Sequence, residues 1–305
     1  MHRMVGGGII PGMRVDVIIV NYHRETLTEA TIAEVLGSEG VEPRVILVDN
    51  DSDGRWVMDR FAGHPWVVPI VNQANLGFAA ACNQGIAKAL HDDADFILLL
   101  NNDARPAPEA LAHLAAAAHQ PGLAVPKILL PDGRIWAAGG RVELARARAR
   151  NRGIYQADGR VFDTPCRVDF GSGCALMIAR RVLERGFRLH EPFFLYYEDA
   201  DFCLRLRRVG FQVAYEPRAR VTHLESASTP AERSFALAYY DVRNRLLFLR
   251  RHGRGFTRFA GFLYWLGSGM ARGLAWSMRP RLRPHGHAVL RAMVHALASR
   301  TGPMP

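Results

Sequence analysis

The chain has 305 residues, of which 49% are apolar and 22% are charged. This composition excludes a disordered chain, and the length is enough for one large domain or two small ones. The formal net charge is +10, but residues 1–240 carry 27 basic and 28 acidic side chains, whereas residues 241–305 carry 12 arginines and a single acid, Asp241. The first part therefore has the charge balance of an ordinary globular body, and the basicity belongs to the C-terminal tail.

Four cysteines are scattered along the chain without a Cys-x-x-Cys pair: Cys82, Cys166, Cys174 and Cys203. We therefore expect reduced cytosolic thiols, and a structural zinc cluster or a disulfide framework is disfavoured. The first 13 residues contain three consecutive glycines and no apolar core of about seven residues. We interpret residues 1–13 as a flexible lead-in and not as a signal peptide.

Short apolar strands alternate with helices over residues 14–130. In chain order, the pattern predicts a strand at 15–20, a helix from about Thr26, where Thr26 and Glu29 have capping-box spacing, strands at 45–48 and 66–71, a helix at 78–90, a strand at 96–100, a helix at 108–119 and a strand at 123–130. Such alternation is typical of an α/β fold with a mostly parallel sheet and helices on both faces.

Residues 131–168 differ, because two Asp-Gly turn dipeptides flank an arginine-rich stretch of weak periodicity. We interpret this segment as hairpins or loops that extend over the sheet. After it the pattern predicts a strand at 168–178, a helix that ends near 209, a short strand at 212–215 and a long helix at 231–251. The long helix leads into the basic tail.

Polar residues follow the predicted strands, at the edge where parallel sheets bind ligands: Asn21-Tyr22, Asp49, Asn72 and Asn101-Asn102-Asp103. A carboxylate such as Asp103 can hold a divalent cation that neutralises a diphosphate. Asp49 stands where α/β folds grip a ribose or a base. Both acids also suit ordinary turns, which leaves a purely structural role open for each.

Three classes of nucleotide enzyme are disfavoured by the positions of the glycines. No glycine follows the first strand, Gly6-Gly7-Gly8 precedes it, and Gly171-Ser172-Gly173 lacks the third glycine of a dinucleotide fingerprint. A Walker A sequence is absent as well. These observations argue against nicotinamide, flavin and P-loop sites.

The segment Glu198-Asp199-Ala200-Asp201 places three carboxylates in four residues, directly after an aromatic and apolar run. Like charges at this spacing repel unless a cation or a substrate compensates, and a carboxylate there can act as a general base toward a hydroxyl. Acids also favour a helix N-terminus, and Asp201 has i,i+4 spacing to Arg205. We assign Asp201 a structural role and at least one of Glu198 and Asp199 a catalytic one.

Taken in order, these pieces form a specific series: Val17-Ile18-Ile19-Val20-Asn21-Tyr22, Val48-Asp49-Asn50-Asp51-Ser52-x-Gly54, Asn75-Leu76-Gly77-Phe78-Ala79, Asn83-x-Gly85, Leu99-Leu100-Asn101-Asn102-Asp103, Gly171-Ser172-Gly173, Phe193-Phe194-x-Tyr196-x-Glu198-Asp199-x-Asp201, Arg205, Gly210, Val221-x-His223 and Arg243-Asn244. The series resembles the bacterial family-2 glycosyltransferases, which are inverting enzymes with a GT-A fold. Within them it is most similar to the rhamnosyltransferase-like branch that acts on cell-surface glycans.

The resemblance implies a donor site in residues 14–130 and an acceptor and catalytic half in residues 131–252. Its donor-site residues would be Asn21, Tyr22, Asp49, Asn75, Gly77, Asn102 and Asp103. Among them Asp49 would hydrogen-bond the nucleotide base, with Asn21 and Tyr22 lining the pocket. Asn75 and Gly77 would shape the loop beside the donor.

The same resemblance implies a metal site for Mg or Mn and a catalytic base. Asp103 is the surviving acid of the family's Asp-x-Asp motif, in which Asn101 replaces the first acid, and His223 would be the second ligand. By itself, a lone histidine is more often an ordinary polar contact. Asp199 matches the catalytic base, with Glu198 beside it to orient the acceptor. The implied acceptor-binding residues are Gly171, Ser172, Gly173 and Tyr197.

The resemblance thus predicts transfer of a sugar, rhamnose from dTDP-rhamnose in the first place, to a cell-surface glycan or polyprenyl-linked acceptor with inversion. This activity belongs to polysaccharide and cell wall biosynthesis. Transfer of galactofuranose or another hexose is the alternative within the family. A sugar-nucleotide nucleotidyltransferase is less favoured, since its Gly-rich signature with Arg and Lys is missing after the first strand.

The tail at residues 253–305 is rich in arginine and in large apolar residues. Its charge-free run at 259–271 spans only 13 residues, whereas a membrane-spanning helix needs about 20. We therefore predict interfacial helices that attach a cytoplasmic enzyme to the anionic inner face of the cell membrane. A helical tail that packs on the core is the alternative. Nucleic acid is disfavoured as a partner because few polar residues flank the arginines.

Overall fold

The computed structural model describes residues 12–50, 53–224 and 231–304. All but the last two residues of the predicted lead-in, and the Asp51-Ser52 pair of the second strand's turn, lie outside the described residues. The predicted boundaries at residues 130 and 252 remain predictions.

A mixed sheet forms the centre of the molecule. Its described strands are β1 (Arg14–Asn21), β2 (Glu42–Asn50), β3 (Val67–Asn72), β4 (Phe96–Asn101), β5 (Ala104–Pro106), β6 (Gly122–Leu129), β7 (Ile135–Ala137), β10 (Cys166–Val168), β11 (Ala175–Ala179) and β12 (Gln212–His223), while β8 (Gly140–Glu143) and β9 (Arg148–Asn151) pair separately as a hairpin. Their spatial order is β10-β12-β6-β11-β4-β1-β2-β3, with β5 on β12 and β7 on β6.

The first half of the sheet is parallel, as the sequence predicts. Strand β1 pairs in parallel with β2 and β4, and β2 pairs in parallel with β3. Strand β11 runs antiparallel between β4 and β6. Consecutive residues of β4 from Phe96 to Leu100 are all buried, which requires cover on both faces of the sheet. The predicted fold class is confirmed.

The helices that the structure describes are α1 (Glu25–Leu36), α2 (Arg55–Phe61), α3 (Phe78–His91), α4 (Ala110–Ala118), α5 (Arg180–Leu183), α6 (Glu198–Arg207), α7 (Ala231–His252), α8 (Gly255–Ser277) and α9 (Arg283–Leu297). The predicted capping box is wrong, because α1 begins at Glu25 and Arg24 precedes it without a side-chain cap. One turn into the helix, Thr28 instead hydrogen-bonds Asn21 at the end of β1.

The predicted strand at 168–178 is also wrong, since it divides into β10 and β11 with a loop between them. The loop passes so close to β6 that a Cβ at Gly171 would lie 2.0 Å from Val125. Strand β12 continues to His223, well past the predicted end at 215, through an irregularity between Glu216 and Arg220. This extension carries His223 to the edge where the predicted site residues lie.

The arginine-rich segment at 131–168 forms β7, the β8–β9 hairpin and β10, in agreement with the expected hairpins. Buried Lys127 in β6 attaches the segment to the sheet through ion pairs with Asp158, at 2.8 Å, and with Asp163. The contact is charge-assisted and partly screened from water, so it helps to fix the path of the segment.

Helices α7, α8 and α9 pack around a second apolar cluster. Trp265 of α8 is fully buried there and donates its indole N–H to the carbonyl of Val242 at 2.8 Å. Within the described ranges, none of the helices combines the length and the apolar content that crossing a membrane requires.

Candidate active site

The predicted donor side of the site is built at the ends of β1, β2 and β4. The amide of Asn21 donates to Asp49 Oδ1 at 3.0 Å, and Asn21 Oδ1 accepts from the hydroxyl of Thr28 at 2.7 Å. Asn102 donates its amide to the same hydroxyl at 3.1 Å. Asn21, Asp49 and Asn102 are buried, whereas Tyr22 is 44% exposed. The structure thus brings the predicted residues together in one network, which Thr28 connects.

A second network of side-chain amides shapes the loop from Asn75 to Gly77. The amide of Asn50 donates to Asn75 Oδ1 at 3.0 Å, and Asn75 Oδ1 also accepts from the backbone N–H of Gly77 at 2.9 Å. Asn50 Oδ1 accepts from Asn72, which is paired in turn with Gln84 at 2.8 Å. The position of Asn72 at a strand end is predicted from the sequence, whereas its role in this network is not. The signal available was the asparagine at the end of each strand.

Gly77 lies against the segment that precedes the acidic cluster. Its φ of +84° is disfavoured for residues with a Cβ, and a Cβ there would lie 2.6 Å from the ring of Phe194. The next residue, Phe78, donates its backbone N–H to the carbonyl of Phe194 at 2.8 Å. The predicted donor loop and the predicted catalytic segment are therefore in direct contact.

Residues 193–197 hold an unusual backbone conformation. Phe194, Tyr196 and Tyr197 have φ values of +66°, +67° and +74°, although none of them is glycine. A non-glycine residue in this conformation destabilises the fold by on the order of 1–3 kcal/mol, and the conformation persists only where surrounding contacts enforce it. Such strain is common where a functional side chain must be aimed, and Tyr197 is the residue that immediately precedes α6.

Two buried side chains of α7 hold this strained loop. The amide of Asn244 lies within hydrogen-bonding distance of three carbonyl oxygens, those of Phe193 (2.9 Å), Leu195 (2.7 Å) and Tyr196 (2.9 Å). Arg243 donates to Phe193 O at 2.7 Å and, through Nε, to Asn244 Oδ1 at 2.9 Å. Both residues belong to the series that resembles the family, but this role was not predictable from it. Their only signal was the presence of polar side chains among the apolar positions of a helix.

The carboxylates at the start of α6 have different surroundings. Asp199 is half-buried and accepts backbone N–H bonds from Gly173 at 3.0 Å and from Ala200 at 2.7 Å. Glu198 is buried, and its Oε2 has no hydrogen-bond partner. Burial raises the pKa of Glu198 well above its ordinary range and also raises the pKa of Asp199. Because Asp199 has donors for both of its oxygens and Glu198 does not, Asp199 is the member of this pair that better holds a negative charge.

Asp201 is fully buried and binds three basic groups, in agreement with the structural role expected for it. It accepts from Arg205 at 2.7 Å, from Arg251 at 2.7 Å and from His252 at 2.8 Å. Burial raises the pKa of Asp201, but these partners outweigh burial and lower it overall. Because Arg251 and His252 are at the end of α7, the cluster joins that helix to α6.

The predicted acceptor residues lie around the same helix start. Gly173 binds Asp199 as described, and Ser172 Oγ accepts from the backbone N–H of Cys174 at 3.2 Å. Tyr197 is buried and packs on Phe248, with ring centroids 5.4 Å apart. Their roles toward an acceptor remain predictions.

Asp103 and His223 meet at the ends of neighbouring elements, with Asp103 Oδ1 and His223 Nε2 3.1 Å apart. Both residues are buried, and Trp136 packs edge-on against the imidazole of His223, with ring centroids 4.6 Å apart. Nδ1 of His223 is buried without a partner. In the described part of the chain, no group of three or more His, Cys, Asp or Glu residues is placed to hold a metal.

A carboxylate oxygen and an imidazole nitrogen fit a divalent cation whose remaining ligands come from a diphosphate. Nδ1 of His223, which is buried without a partner, is a ring nitrogen that remains available for such a cation.

A family model described as "Glycosyl transferase family 2" matches residues 16–185, which is more than half of the chain. The chain belongs to glycosyl transferase family 2. The predicted family and enzyme class are thereby confirmed, and the matched region includes the donor-side networks and the Asp103 end of β4.

Two curated family relatives have low identity over most of their length. The chain is 26% identical to the N-acetylglucosaminyl-diphospho-decaprenol L-rhamnosyltransferase of Mycobacterium tuberculosis over 272 residues, covering 81% of this chain and 83% of that protein. It is 24% identical to the low-salt glycan biosynthesis hexosyltransferase Agl10 of Haloferax volcanii over 241 residues, covering 76% of this chain and 74% of that one.

Solved structures show the fold to be of the GT-A type. The mannosyltransferase PcManGT from Pyrobaculum calidifontis, in complex with GDP-Man and Mn2+, superposes with a TM-score of 0.56 at 15% identity over 94% of this chain and 87% of that one. GalNAc-T7 with UDP, GalNAc and Mn2+ gives a TM-score of 0.57 at 15% identity and covers 77% of this chain. The match spans 51% of the GalNAc-T7 chain.

Proposed function

We propose that this family-2 glycosyltransferase moves rhamnose from dTDP-rhamnose to a polyprenyl-linked or cell-surface glycan acceptor with inversion at the anomeric carbon. The similarity to the mycobacterial rhamnosyltransferase over 83% of that protein supports the sugar and the lipid-linked acceptor. The observation that carries the chemistry is Asp199, a half-buried carboxylate that accepts from two backbone N–H groups in the first turn of α6, directly after the loop that touches the donor loop at Gly77. Residues 14–130 would bind the donor, and residues 131–252 would bind the acceptor and carry the base.

In this proposal the donor is read by the network at the strand ends. Asp49 accepts from the nucleotide base while Asn21 holds its carboxylate in position, and exposed Tyr22 covers the base. The loop that ends at Gly77 contacts the sugar diphosphate. The side chains of Asn50 and Asn75 hold the backbone of this loop in position before the donor binds. The rigid loop reduces the entropy that ordering around the donor would cost.

Asp199 removes the proton from the acceptor hydroxyl as the hydroxyl oxygen attacks the anomeric carbon, and the bond to the diphosphate breaks in the same displacement. Glu198, which lies buried beside Asp199 and whose pKa burial raises, orients the acceptor. Asp103 and His223 would hold Mg2+ or Mn2+. The cation, when bound, supplies charge neutralisation for the departing nucleoside diphosphate.

A lipid-linked acceptor implies work at a membrane. We place the enzyme at the cytoplasmic side of the cell membrane, with residues 253–305 in contact with its anionic inner face. In support, residues 242–305 contain no acidic residue, and each arginine near an anionic leaflet contributes about 1 kcal/mol. Cell wall or surface polysaccharide biosynthesis is the corresponding process.

A second donor within the family is the alternative, since Agl10 is a hexosyltransferase. The test is a panel of dTDP-, UDP- and GDP-sugars with Mn2+ or Mg2+, read by thermal stabilisation and by transfer to a polyprenyl-diphosphate glycan. We expect dTDP-rhamnose to give the largest shift and the glycosylated product. Strong stabilisation and transfer with another sugar would replace rhamnose, and stabilisation by none would contradict the donor site.

A further inference from the structure

One side of helix α8 exposes a continuous row of large apolar side chains. Five residues of α8 and the residue after it are between 41% and 83% exposed: Phe256, Phe259, Leu263, Met270, Leu274 and Met278. Their spacing of three, four or seven residues places them on one side of the helix. We call this row the α8 face. Such a contiguous exposed row on a folded body marks an interaction surface.

The opposite side of α8 is already packed, which fixes the rotation of the helix. Trp265 fills the cluster between the three C-terminal helices, and Gly269 lies so close to α9 that a Cβ would meet Met293 at 2.8 Å. Gly261 and Gly273 are in equally tight contact with Leu144 and Leu290. The glycines are therefore points of close approach, and α8 cannot turn its apolar row inward.

Exposed arginines flank the α8 face at both ends: Arg254 and Arg258 at the start, and Arg279, Arg281 and Arg283 after the end. Asp241 is the last acidic residue of the chain, so no acid of α8, α9 or the linker offsets this charge. An apolar row between two groups of arginines matches a bilayer interface, where acyl chains lie below anionic headgroups.

A cavity of about 520 Å3 opens beside the α8 face, between α7 and α8. Leu246, Leu249, Phe259 and Phe262 line it together with Arg250 and Arg258. An apolar recess of this size would accept part of an acyl chain. This shape favours lipid over the flat complementary surface of a protein partner.

We propose that the α8 face inserts into the interfacial layer of an anionic bilayer, with its apolar side chains among the acyl chains and the flanking arginines on lipid phosphates. This inference rests on the proposed function, because an enzyme bound to the membrane through α8 would meet a lipid-linked acceptor there. It deepens that function by naming the surface that makes the contact.

The test is vesicle sedimentation of the full chain with phosphatidylcholine alone and with phosphatidylcholine containing phosphatidylglycerol. The variants are Leu263→Glu and Leu274→Glu, whose side chains are 50% and 51% exposed, and the matched control is Met58→Glu on α2, 48% exposed. We expect the wild type and the control to bind the anionic vesicles alike, each α8 variant to bind at least tenfold more weakly, and thermal midpoints to stay unchanged.

Equal binding by the α8 variants, or no binding of the wild type to anionic vesicles, overturns the proposal. Analytical ultracentrifugation without lipid provides the second readout, since a dimer that Leu263→Glu dissociates would assign the face to a second copy of the chain instead. Donor-induced thermal stabilisation is measured in parallel. If the donor stabilises the wild type but the wild type does not bind vesicles, only the membrane face is refuted. If the donor does not stabilise the wild type, the proposed function is refuted.

Discussion

Asn244→Ala is expected to release the strained loop at residues 193–197, which leads into the predicted catalytic carboxylates of α6. The side-chain amide of Asn244 is the donor that reaches the carbonyls of Leu195 and Tyr196, at 2.7 and 2.9 Å, while Phe193 O keeps the bond from Arg243. Alanine cannot replace any of these donors, and the backbone it would free is held at positive φ against its intrinsic preference.

The expected loss of stability follows from these contacts. Each of the two carbonyls loses its hydrogen-bond donor, which destabilises the folded state by about 1–3 kcal/mol if the carbonyl stays shielded from water. The positive-φ residues can then relax, which offsets part of this loss. We therefore expect a net loss of about 2 kcal/mol in the free energy of unfolding. The relaxed loop misplaces Asp199, and a displacement of about 1 Å is enough to lower kcat by roughly 100-fold.

The assay pairs urea unfolding with steady-state kinetics at saturating donor. Tyr215→Phe is the matched control, because the buried Tyr215 hydroxyl also donates to a carbonyl, Phe162 O at 2.7 Å, but in a part of the molecule away from the strained loop. We expect a similar stability loss in both variants and a large fall in kcat only for Asn244→Ala. An unchanged kcat in a folded Asn244→Ala enzyme would refute the assigned role of the loop.

The remaining predictions concern the charged groups. Asp103→Ala should weaken metal-dependent binding of the donor at least tenfold in calorimetry, and wild-type activity that persists in a chelator would contradict the metal site. Because burial raises the pKa of Asp199, kcat/KM should fall on acidification at a pH above about 4, the ordinary aspartate value; a profile flat to pH 4 would exclude a raised pKa. Since its partners lower the pKa of Asp201, its stabilisation is complete above about pH 4 and is lost as the pH falls further. Asp201→Asn should therefore cost about 3 kcal/mol at pH 7 in chemical denaturation, and the difference from wild type should shrink below pH 4; a difference independent of pH would contradict the ion-pair cluster.

The strands of the first half and the polar residues at their ends were predictable from the sequence. Runs such as 96–100 are apolar at every position, which indicates a strand buried on both faces, and parallel strands present their carboxyl ends at one edge. The parallel register of β1, β2 and β4 is enough to bring Asn21, Asp49 and Asp103 to that edge. The meeting of Asp103 with His223, 120 residues later, required the structure, because β12 runs far beyond its predicted end.

The contacts that hold the predicted catalytic segment in place could not be predicted from the sequence. Phe194, Tyr196 and Tyr197 give no sign of positive φ, since glycine is the usual marker. Asn244 acts through carbonyls about 50 residues away in sequence, and such contacts leave no periodic signal. Gly261, Gly269 and Gly273 lower the helix propensity of α8, yet these three residues are where the helix packs most closely on its neighbours. In each case tertiary contacts outweigh the local preference.

The most direct test of the proposed chemistry is Asp199→Asn, assayed for sugar transfer and for donor affinity in the same preparation. If Asp199 is the general base, transfer falls by at least about 100-fold, while the dissociation constant for the nucleotide sugar stays within about twofold, because the donor-side networks are untouched. Transfer that survives the substitution, or a parallel loss of donor binding, would contradict the account.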